Sequence, residues 1–277
     1  MKTARVNIVE IKTTNIRIDA SYHLSEGNQV KRLIAASPYP MLKISDVCSD
    51  IFIGDRARRV YVSNREKGIP FLSSSDILQS DLDNVKLASK KYTPNVTEMK
   101  LQKGWTLISR SGTIGNCAFS NAEHAQKLAS EDVIRCVPNH ILKQGVIYAY
   151  LASKYGHSLL EQGTFGGVIQ HIETDFVGSL PIPQFKDAFQ LLIDTKMQKS
   201  ATLRESASTM LREAVSVFEN AIGTSSYKPN FQTMAICSRK LSSSFLRFDA
   251  QYQIGGHKLN GEIKDIPKFR RKQNFFV

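Results

Sequence analysis

The sequence lacks the features of a membrane protein or a disulfide-stapled secreted protein. It has no apolar run near the roughly 18 residues that a membrane-spanning helix requires, and Glu10, Lys12 and Arg17 interrupt the apolar residues near the N-terminus. Its 4 cysteines form no Cys-x-x-Cys pair and no zinc-like grouping with the 6 histidines. We therefore expect a cytoplasmic protein with free thiols, no bound metal and no membrane contact.

Familiar enzyme motifs are also missing. There is no Gly-x-x-x-x-Gly-Lys-Ser/Thr phosphate loop, no Gly-x-Gly-x-x-Gly dinucleotide motif and no Asn/Asp-Pro-Pro-aromatic run of the kind that amino-methyltransferases use. The string Glu262-Ile263-Lys264 has the Glu-x-Lys form of many nucleases, but no paired upstream acidic residue accompanies it, so a solvated charge run is the better interpretation. We expect no catalytic residues and no cofactor.

A short box of residues occurs twice. Arg17–His23 reads Arg-Ile-Asp-Ala-Ser-Tyr-His, and Arg247–Gln253 reads Arg-Phe-Asp-Ala-Gln-Tyr-Gln, 230 residues later. Solenoid repeats have periods of about 20–50 residues, so this offset is too long for one. We interpret the box as the opening of one large module and of a second module that the chain only begins. We expect that the second module has been lost or is supplied by another chain.

The charge balance favours an acidic partner. Lys and Arg number 37 against 25 acidic residues, which gives a net charge of +12 and a pI near 9.5. Such a field suits a polyanion, and nucleic acid is the commonest polyanion. Charge by itself leaves open a merely basic protein with no such partner.

The hydrophobic pattern predicts a mixed region followed by a long helix. Between Met41 and about Pro183, short β-like runs alternate with turn residues, and residues 145–162 have the spacing of one amphipathic helix. Residues 187–222 contain no Pro or Gly, which predicts a helix about 54 Å long at 1.5 Å per residue. A helix of that length with one apolar stripe needs a partner, so we expect a coiled coil. The stripe that we expect to dimerise consists of Ile193, Met197, Ala201, Leu211, Val215, Phe218 and Ile222.

Four predicted loops carry residues suited to DNA contact. Arginine can bind the O6 and N7 atoms of guanine or neutralise phosphate, and hydroxyls and amides can bind the backbone or a base edge. The candidates are Arg56, Arg58, Arg59, Ser73, Ser74, Arg110, Ser111, Thr113, Thr164, Phe165, Gln170 and His171.

Each loop also has a plain structural interpretation. The arginine cluster at 56–59 suits a solvated surface loop, and 109–115 suits a tight turn between strands. The run 73–76 suits a helix cap, and 163–172 suits a glycine-rich connector in which His171 is an ordinary surface histidine. For His171 this plain interpretation is the better one.

Taken in order, several segments resemble the DNA-specificity subunits of type I restriction–modification systems. The resemblance covers roughly residues 40–222 and includes the way in which such subunits begin each half with the repeated box. It is carried by Ile69–Ile77, Trp105–Gly115, Ile147–Gly156, Gly163–Ile172, Leu180–Pro183 and the long helix.

The resemblance implies an α+β fold with four parts. A proximal segment (1–36) holds the first box, and a globular mixed α/β target-recognition domain (37–185) follows it. A long spacer helix (186–223) comes next, and the start of a truncated second repeat (224–277) ends the chain. Such a subunit reads double-stranded DNA without doing chemistry. It docks methyltransferase subunits and, through them, the restriction subunit.

This chain departs from the family pattern because it has one recognition domain and one spacer helix where the full-length subunits have two of each. We therefore expect a half-length form that acts as a homodimer on an interrupted palindrome. Two alternatives stay open. One is a truncated assembly subunit that competes for methyltransferase without strong DNA reading, and the other is a reader fused to an unrecognised nuclease.

Overall fold

A computed structural model describes residues 3, 5–13, 18, 20–56, 59–164 and 170–223. It divides into two units, Met1–Ser208 and Thr209–Val277, and the boundary falls within the last helix. The helices of the described residues are α1 (Ile8–Thr13), α2 (Ala20–His23), α3 (Glu26–Ala35), α4 (Ile44–Val47), α5 (Val96–Met99), α6 (Gln144–Leu151), α7 (Lys154–Gln162), α8 (Thr174–Ser179) and α9 (Asp187–Ile222).

The described strands form three sheets. They are β1 (Met41–Lys43), β2 (Cys48–Ile53), β3 (Tyr61–Val62), β4 (Gly68–Leu72), β5 (Leu87–Ser89), β6 (Thr106–Ser109), β7 (Cys117–Phe119), β8 (Leu128–Ala129), β9 (Val133–Pro138) and β10 (Pro181–Pro183). One four-stranded sheet has the order β2-β9-β6-β7 and is antiparallel, and the other has the order β3-β5-β4-β8. The pair β1-β10 is antiparallel as well. The expected mixed α+β domain followed by a long helix is confirmed.

The sheet β2-β9-β6-β7 is covered on both faces. Neighbouring residues of one strand point to opposite faces, so Ile108 and Ile134 lie in one apolar cluster and Leu107 and Val133 lie in another. All four side chains are fully buried, and each contributes about 1.5–3 kcal/mol of hydrophobic stabilisation. Burial on both faces explains why these strands read as continuous apolar runs, and it makes the sheet a rigid support for its loops.

The single helix predicted over 145–162 is wrong, because the structure breaks it into α6 and α7. The hydroxyl of Ser153 caps α7 by accepting a hydrogen bond from the amide of Gly156 at 3.2 Å. Gly156 packs so closely on the end of α6 that a Cβ atom there would collide with the carbonyl oxygen of Tyr150. Helical periodicity continues across the break, and only this tertiary contact reveals it.

The described part of the first repeat box anchors the N-terminal helices. Tyr22 is buried, and its carbonyl oxygen accepts hydrogen bonds from the Ser25 hydroxyl at 2.7 Å and the Asn28 amide at 3.2 Å. The Asn28 side chain in turn accepts a hydrogen bond from Gln162 of α7 at 2.5 Å. Residues 17 and 19 of this box and the whole second copy lie outside the described residues. The described part of the box thus forms a structural junction between α2, α3 and α7.

One face of α9 up to Ser208 packs on the mixed domain. The Asp194 carboxylate accepts a hydrogen bond from the Gly145 amide at 2.8 Å, and the Glu205 carboxylate accepts one from the Ala122 amide at 2.7 Å. Met197 lies beside Gly145, and Ala201 is buried at 5% exposure. Met197 and Ala201 therefore face the chain's own domain, and placing them in a stripe that faces a partner helix was wrong.

The described residues include neither a membrane-spanning helix nor a metal-binding cluster. Within them, no helix combines the length and apolarity needed to cross a membrane. The same residues hold no group of three or more His, Cys, Asp or Glu side chains that could bind a metal ion. Cys48, Cys117 and Cys136 are free thiols, and burial raises the pKa of Cys117 to about 12, so it is protonated at neutral pH. Cys237 lies outside the described residues.

Acid should destabilise this fold through His124. Its ring is buried, with Nε2 at 3.1 Å from the Ile77 carbonyl oxygen and Nδ1 at 2.7 Å from the Asn121 side-chain oxygen. Burial lowers the pKa of His124 below its usual 6.5, and the charge of Lys127 lowers it further. The folded state therefore resists protonation of His124. The stability that the neutral ring contributes is fully present above pH 6.5 and is lost as the pH falls below that value.

We expect the free energy of unfolding to fall between pH 7.5 and pH 5.5 through this group, because the unfolded chain takes up a proton at His124 that the folded chain resists. The measurement is urea unfolding of the wild type and His124→Gln at both pH values. His124→Gln should show the smaller pH dependence, whereas His140→Asn at an exposed position should match the wild type. If the free energy of unfolding changed equally with pH in all three proteins, His124 would not be the source of the pH dependence.

Candidate nucleic-acid interface

Strand pairing brings the predicted contact loops together. Ile53 at the end of β2 pairs with Ile134, and Ser109 at the end of β6 pairs with Val133, both at the start of β9. Because both pairings are antiparallel, the loops after β2 and β6 emerge beside the loop that precedes β9. Leu72 at the end of β4 pairs with Ala129, so the loop after β4 joins the same place.

Direct contacts connect these loops into one surface, which we name the shared loop edge: residues 54–56, 59, 72–75, 110–113, 130–132 and 171–173. The amide of Ser130 donates to the Leu72 carbonyl at 2.9 Å, and the amide of Arg110 donates to the Asp132 carbonyl at 2.8 Å. Ser111 forms an isolated antiparallel bridge with His171. Residues that are far apart in sequence therefore present their side chains from one rigid support.

Arg59 lies at this edge and is partly exposed to solvent. Its guanidinium stacks over the Phe71 ring at 5.1 Å and forms an ion pair with Glu131. The side chains are 33% and 18% exposed, so the arginine stays accessible from outside. Arg56 is exposed. Arg58 lies outside the described residues.

Arg110 has a different environment from the one its sequence suggests. Its side chain is only 6% exposed, and its guanidinium donates to the Glu173 carboxylate at 2.5 Å. The Nε2 atom of His171 lies 3.3 Å from the same carboxylate. Backbone hydrogen bonds from Arg110 to Asp132 and from Ile172 to Arg110 hold the residue on both sides. Arg110 thus ties the loop after β6 to the segment before α8.

The predicted hydroxyl residues are partly occupied by local bonds. Ser73 and Asp76 bond each other: the Ser73 amide (2.8 Å) and hydroxyl (2.7 Å) donate to the Asp76 carboxylate, and the Asp76 amide donates to the Ser73 hydroxyl (3.4 Å). The hydroxyls of Ser109 and Thr113 lie 2.9 Å apart. Ser74 is half-buried beside Gly112, and Thr113 is exposed. Ser74 and Thr113 are therefore better placed to meet a ligand than Ser73.

A cleft of about 740 Å³ adjoins the shared loop edge at Gly112 and Thr113. Thr113, Thr164 and Gln170 contribute to its lining, together with Glu26 and Glu161. The hydroxyl of Thr164 is already bonded to the Glu161 carbonyl at 2.5 Å. Phe165 lies outside the described residues. The predicted contact residues are thus divided between the shared loop edge and this cleft, and two carboxylates make the cleft unsuited to phosphate.

Sequence reasoning missed Arg135, which supports the edge from below. Its side chain is fully buried in β9 and donates hydrogen bonds to the carbonyls of Ala129 at 2.6 Å, Ser130 at 3.2 Å and Val133 at 2.7 Å. Burial lowers the pKa of Arg135 to about 10, so it is still charged at neutral pH. The available signal was a lone arginine within the apolar run 133–137. An unpaired charge in a buried strand indicates a specific role.

Glu131 and Glu173 were missed as well, because each pairs with an arginine distant in sequence. They also change the electrostatic argument, since Arg59 and Arg110 both have carboxylate partners. Much of the net charge comes from residues that the structure does not describe: residues 224–277 hold 10 of the 37 basic residues and 3 of the 25 acidic ones. The total of +12 is therefore a poor guide to the charge of the shared loop edge.

A family model matches residues 9–184, and it is described as the type I restriction modification DNA specificity domain. This span is more than half of the 277 residues and includes every segment of the shared loop edge. The chain belongs to the type I restriction–modification DNA-specificity domain family. No curated protein sequence matches it.

Three solved structures from restriction systems resemble this DNA-specificity domain. One, from work on complex assembly and conformational transition of the type I R-M system, is 15% identical over 77% of this chain and 55% of that chain, with a TM-score of 0.45. The HsdS subunit from Thermoanaerobacter tengcongensis is 15% identical over 73% and 52%, with a TM-score of 0.44. The type IIG restriction endonuclease BpuSI is 11% identical over 69% and 30%, with a TM-score of 0.46. The chain spans about half the length of the first two.

Arg110→Ala should destabilise the specificity domain. The guanidinium is buried and paired with the Glu173 carboxylate. Loss of a hydrogen bond to a charged group costs about 1.5–3 kcal/mol, and we expect a loss of about 2 kcal/mol. The measurement is urea unfolding, with Arg56→Ala at an exposed position as the matched control. An unchanged midpoint for Arg110→Ala would mean that the arginine is available for DNA instead.

Proposed function

We propose that this chain is a DNA-reading subunit of a type I restriction–modification system. It binds double-stranded DNA sequence-specifically through the shared loop edge and does no chemistry itself. The observation that carries the proposal is the meeting of the arginine and hydroxyl loops at one rigid edge within a domain of the DNA-specificity family. Methyl transfer and cleavage belong to methyltransferase and restriction subunits that dock on it.

The residue types at the edge suit both parts of DNA recognition. The exposed Arg56 can neutralise phosphate or bind guanine through two hydrogen bonds. Ser74 and Thr113 offer hydroxyls for the backbone or a base edge. Because β9 and its partners are buried on both faces, the loops start from fixed positions. Because the loops are held in fixed positions, their contacts to base edges can discriminate between DNA sequences.

We further propose a homodimer that pairs through α9, along a stripe different from the one expected from sequence. Within the unit that ends at Ser208, Phe189 and Leu203 are 46% and 60% exposed. Within the unit that starts at Thr209, Met210 and Val217 are 67% and 69% exposed. With Lys196 these residues follow a seven-residue spacing, which is the period of a coiled coil. A two-fold dimer would read an interrupted palindrome.

DNA reading is tested by selecting duplexes from a random library and comparing the affinity for the selected duplex with that for a scrambled one. We expect clear discrimination and an affinity that falls with salt. Arg56→Ala should weaken binding to the selected duplex on the order of tenfold, because a specific arginine contact is worth about 1–3 kcal/mol. Lys199→Ala, on α9, should leave it unchanged. Equal affinity for both duplexes would favour an assembly subunit that does not read DNA.

The proposed dimer is tested by sedimentation equilibrium. The wild type should be a dimer, and Leu203→Lys should shift it towards monomer because a second lysine then joins Lys196 in the stripe and an apolar contact is lost. Leu191→Lys is the matched control, since Leu191 is 56% exposed and lies about 120° around the helix from Leu203 at 100° per residue. A monomeric wild type, or equal effects of the two substitutions, would contradict pairing through this stripe.

A further inference from the structure

We propose that Glu131 is a specificity-determining residue that acts through Arg59 and that the two side chains together read a guanine–cytosine base pair. The inference rests on the proposed DNA-reading function and deepens it. Glu131 holds the Arg59 guanidinium in the free protein, so a phosphate that binds only the arginine must displace a carboxylate. A guanine–cytosine pair satisfies both groups at once.

First, the environment of the Arg59–Glu131 ion pair fixes the orientation of the arginine. Both side chains lie at the surface, with exposures of 33% for Arg59 and 18% for Glu131. Arg59 is held from one side by the Phe71 ring at 5.1 Å and from another by Glu131. The guanidinium is thus presented to solvent in one orientation, and it is not a freely moving surface charge.

The second support is the rigidity of the loop that carries Glu131. Arg135 donates to the carbonyls on either side of it, at Ala129, Ser130 and Val133, and the Ser130 amide donates to the Leu72 carbonyl. Glu131 therefore stays in place if Arg59 moves away. A phosphate that captures Arg59 leaves this carboxylate unpaired beside the negative DNA backbone, which is unfavourable.

The third support is the chemistry of the base edges. In the major groove, guanine presents the N7 and O6 acceptors that a guanidinium binds, and cytosine presents the N4 amino group that a carboxylate accepts from. An adjacent arginine and glutamate match these groups together. A phosphate offers acceptors only. Adenine offers one acceptor, N7, beside the N6 amino donor, so it cannot accept both hydrogen bonds of a guanidinium. Arg59 and Glu131 together therefore favour a base pair over the phosphate backbone, and this preference is the basis of discrimination between DNA sequences.

The second arginine–carboxylate pair at the edge does not have this property. The side chain of Arg110 is 6% exposed, and the residue is held by backbone hydrogen bonds on both sides. It cannot reach a base without dismantling the loop after β6. Exposure thus distinguishes an ion pair that can exchange with DNA from one that only supports the fold.

The test uses Glu131→Gln in the full chain, with Glu213→Gln on α9 as the control of identical charge change. We expect Glu131→Gln to bind scrambled duplex several-fold more tightly and to lose discrimination at a guanine–cytosine position of the selected duplex. The slope of log affinity against log salt on scrambled duplex should steepen by about 0.9, the value for one added phosphate contact. Glu131→Asp, which keeps the charge, should restore much of the wild-type discrimination.

A double-mutant cycle shows whether Glu131 acts through Arg59. In an Arg59→Ala background, Glu131→Gln should no longer steepen the salt dependence on scrambled duplex, because there is no guanidinium to release to a phosphate. If Glu131→Gln behaves like Glu213→Gln while the wild type still prefers the selected duplex, the inference is wrong and DNA reading stands. If the wild type does not prefer the selected duplex, DNA reading and this inference both fall. Thermal unfolding of each variant checks that the proteins compared are folded.

Discussion

The antiparallel pairing of β9 with both β2 and β6 is the constraint on which the rest of the structure depends. It places the start of β9 against the ends of two strands that are about 55 residues apart in sequence. Three loops must then emerge at one edge, and the parallel pairing of β4 with β8 adds a fourth. Apolar clusters on both faces of the sheet keep this arrangement rigid.

Three arginines at or below this edge show how environment assigns a role to the same side chain. Arg135 is fully buried, and backbone carbonyls replace its lost hydration. Arg110 is nearly buried, and a carboxylate balances its charge. Arg59 is a third exposed and stacks on an aromatic ring while paired. The first two stabilise the loops, and only the third combines a fixed orientation with access to a ligand.

Sequence patterns predicted the elements well where local physics dominates. The apolar runs of β6 and β9 read as strands because both faces of their sheet are buried, and α9 begins and ends at the predicted residues because no Pro or Gly interrupts it. The break between α6 and α7 was not predictable, since it depends on the close approach of Gly156 to Tyr150. The apolar stripe of α9 was misplaced because Met197 and Ala201 serve the chain's own domain.

The order of motifs along the sequence was by itself enough to indicate the family, the α+β fold and the loops that could contact DNA. Tertiary structure alone decided which residues of those loops can reach a ligand. Glu131 lies 72 residues from Arg59, and Glu173 lies 63 residues from Arg110. No local pattern records such pairs. Burial and pairing are properties of the folded chain, and they determine whether an arginine binds DNA or supports the loop that carries it.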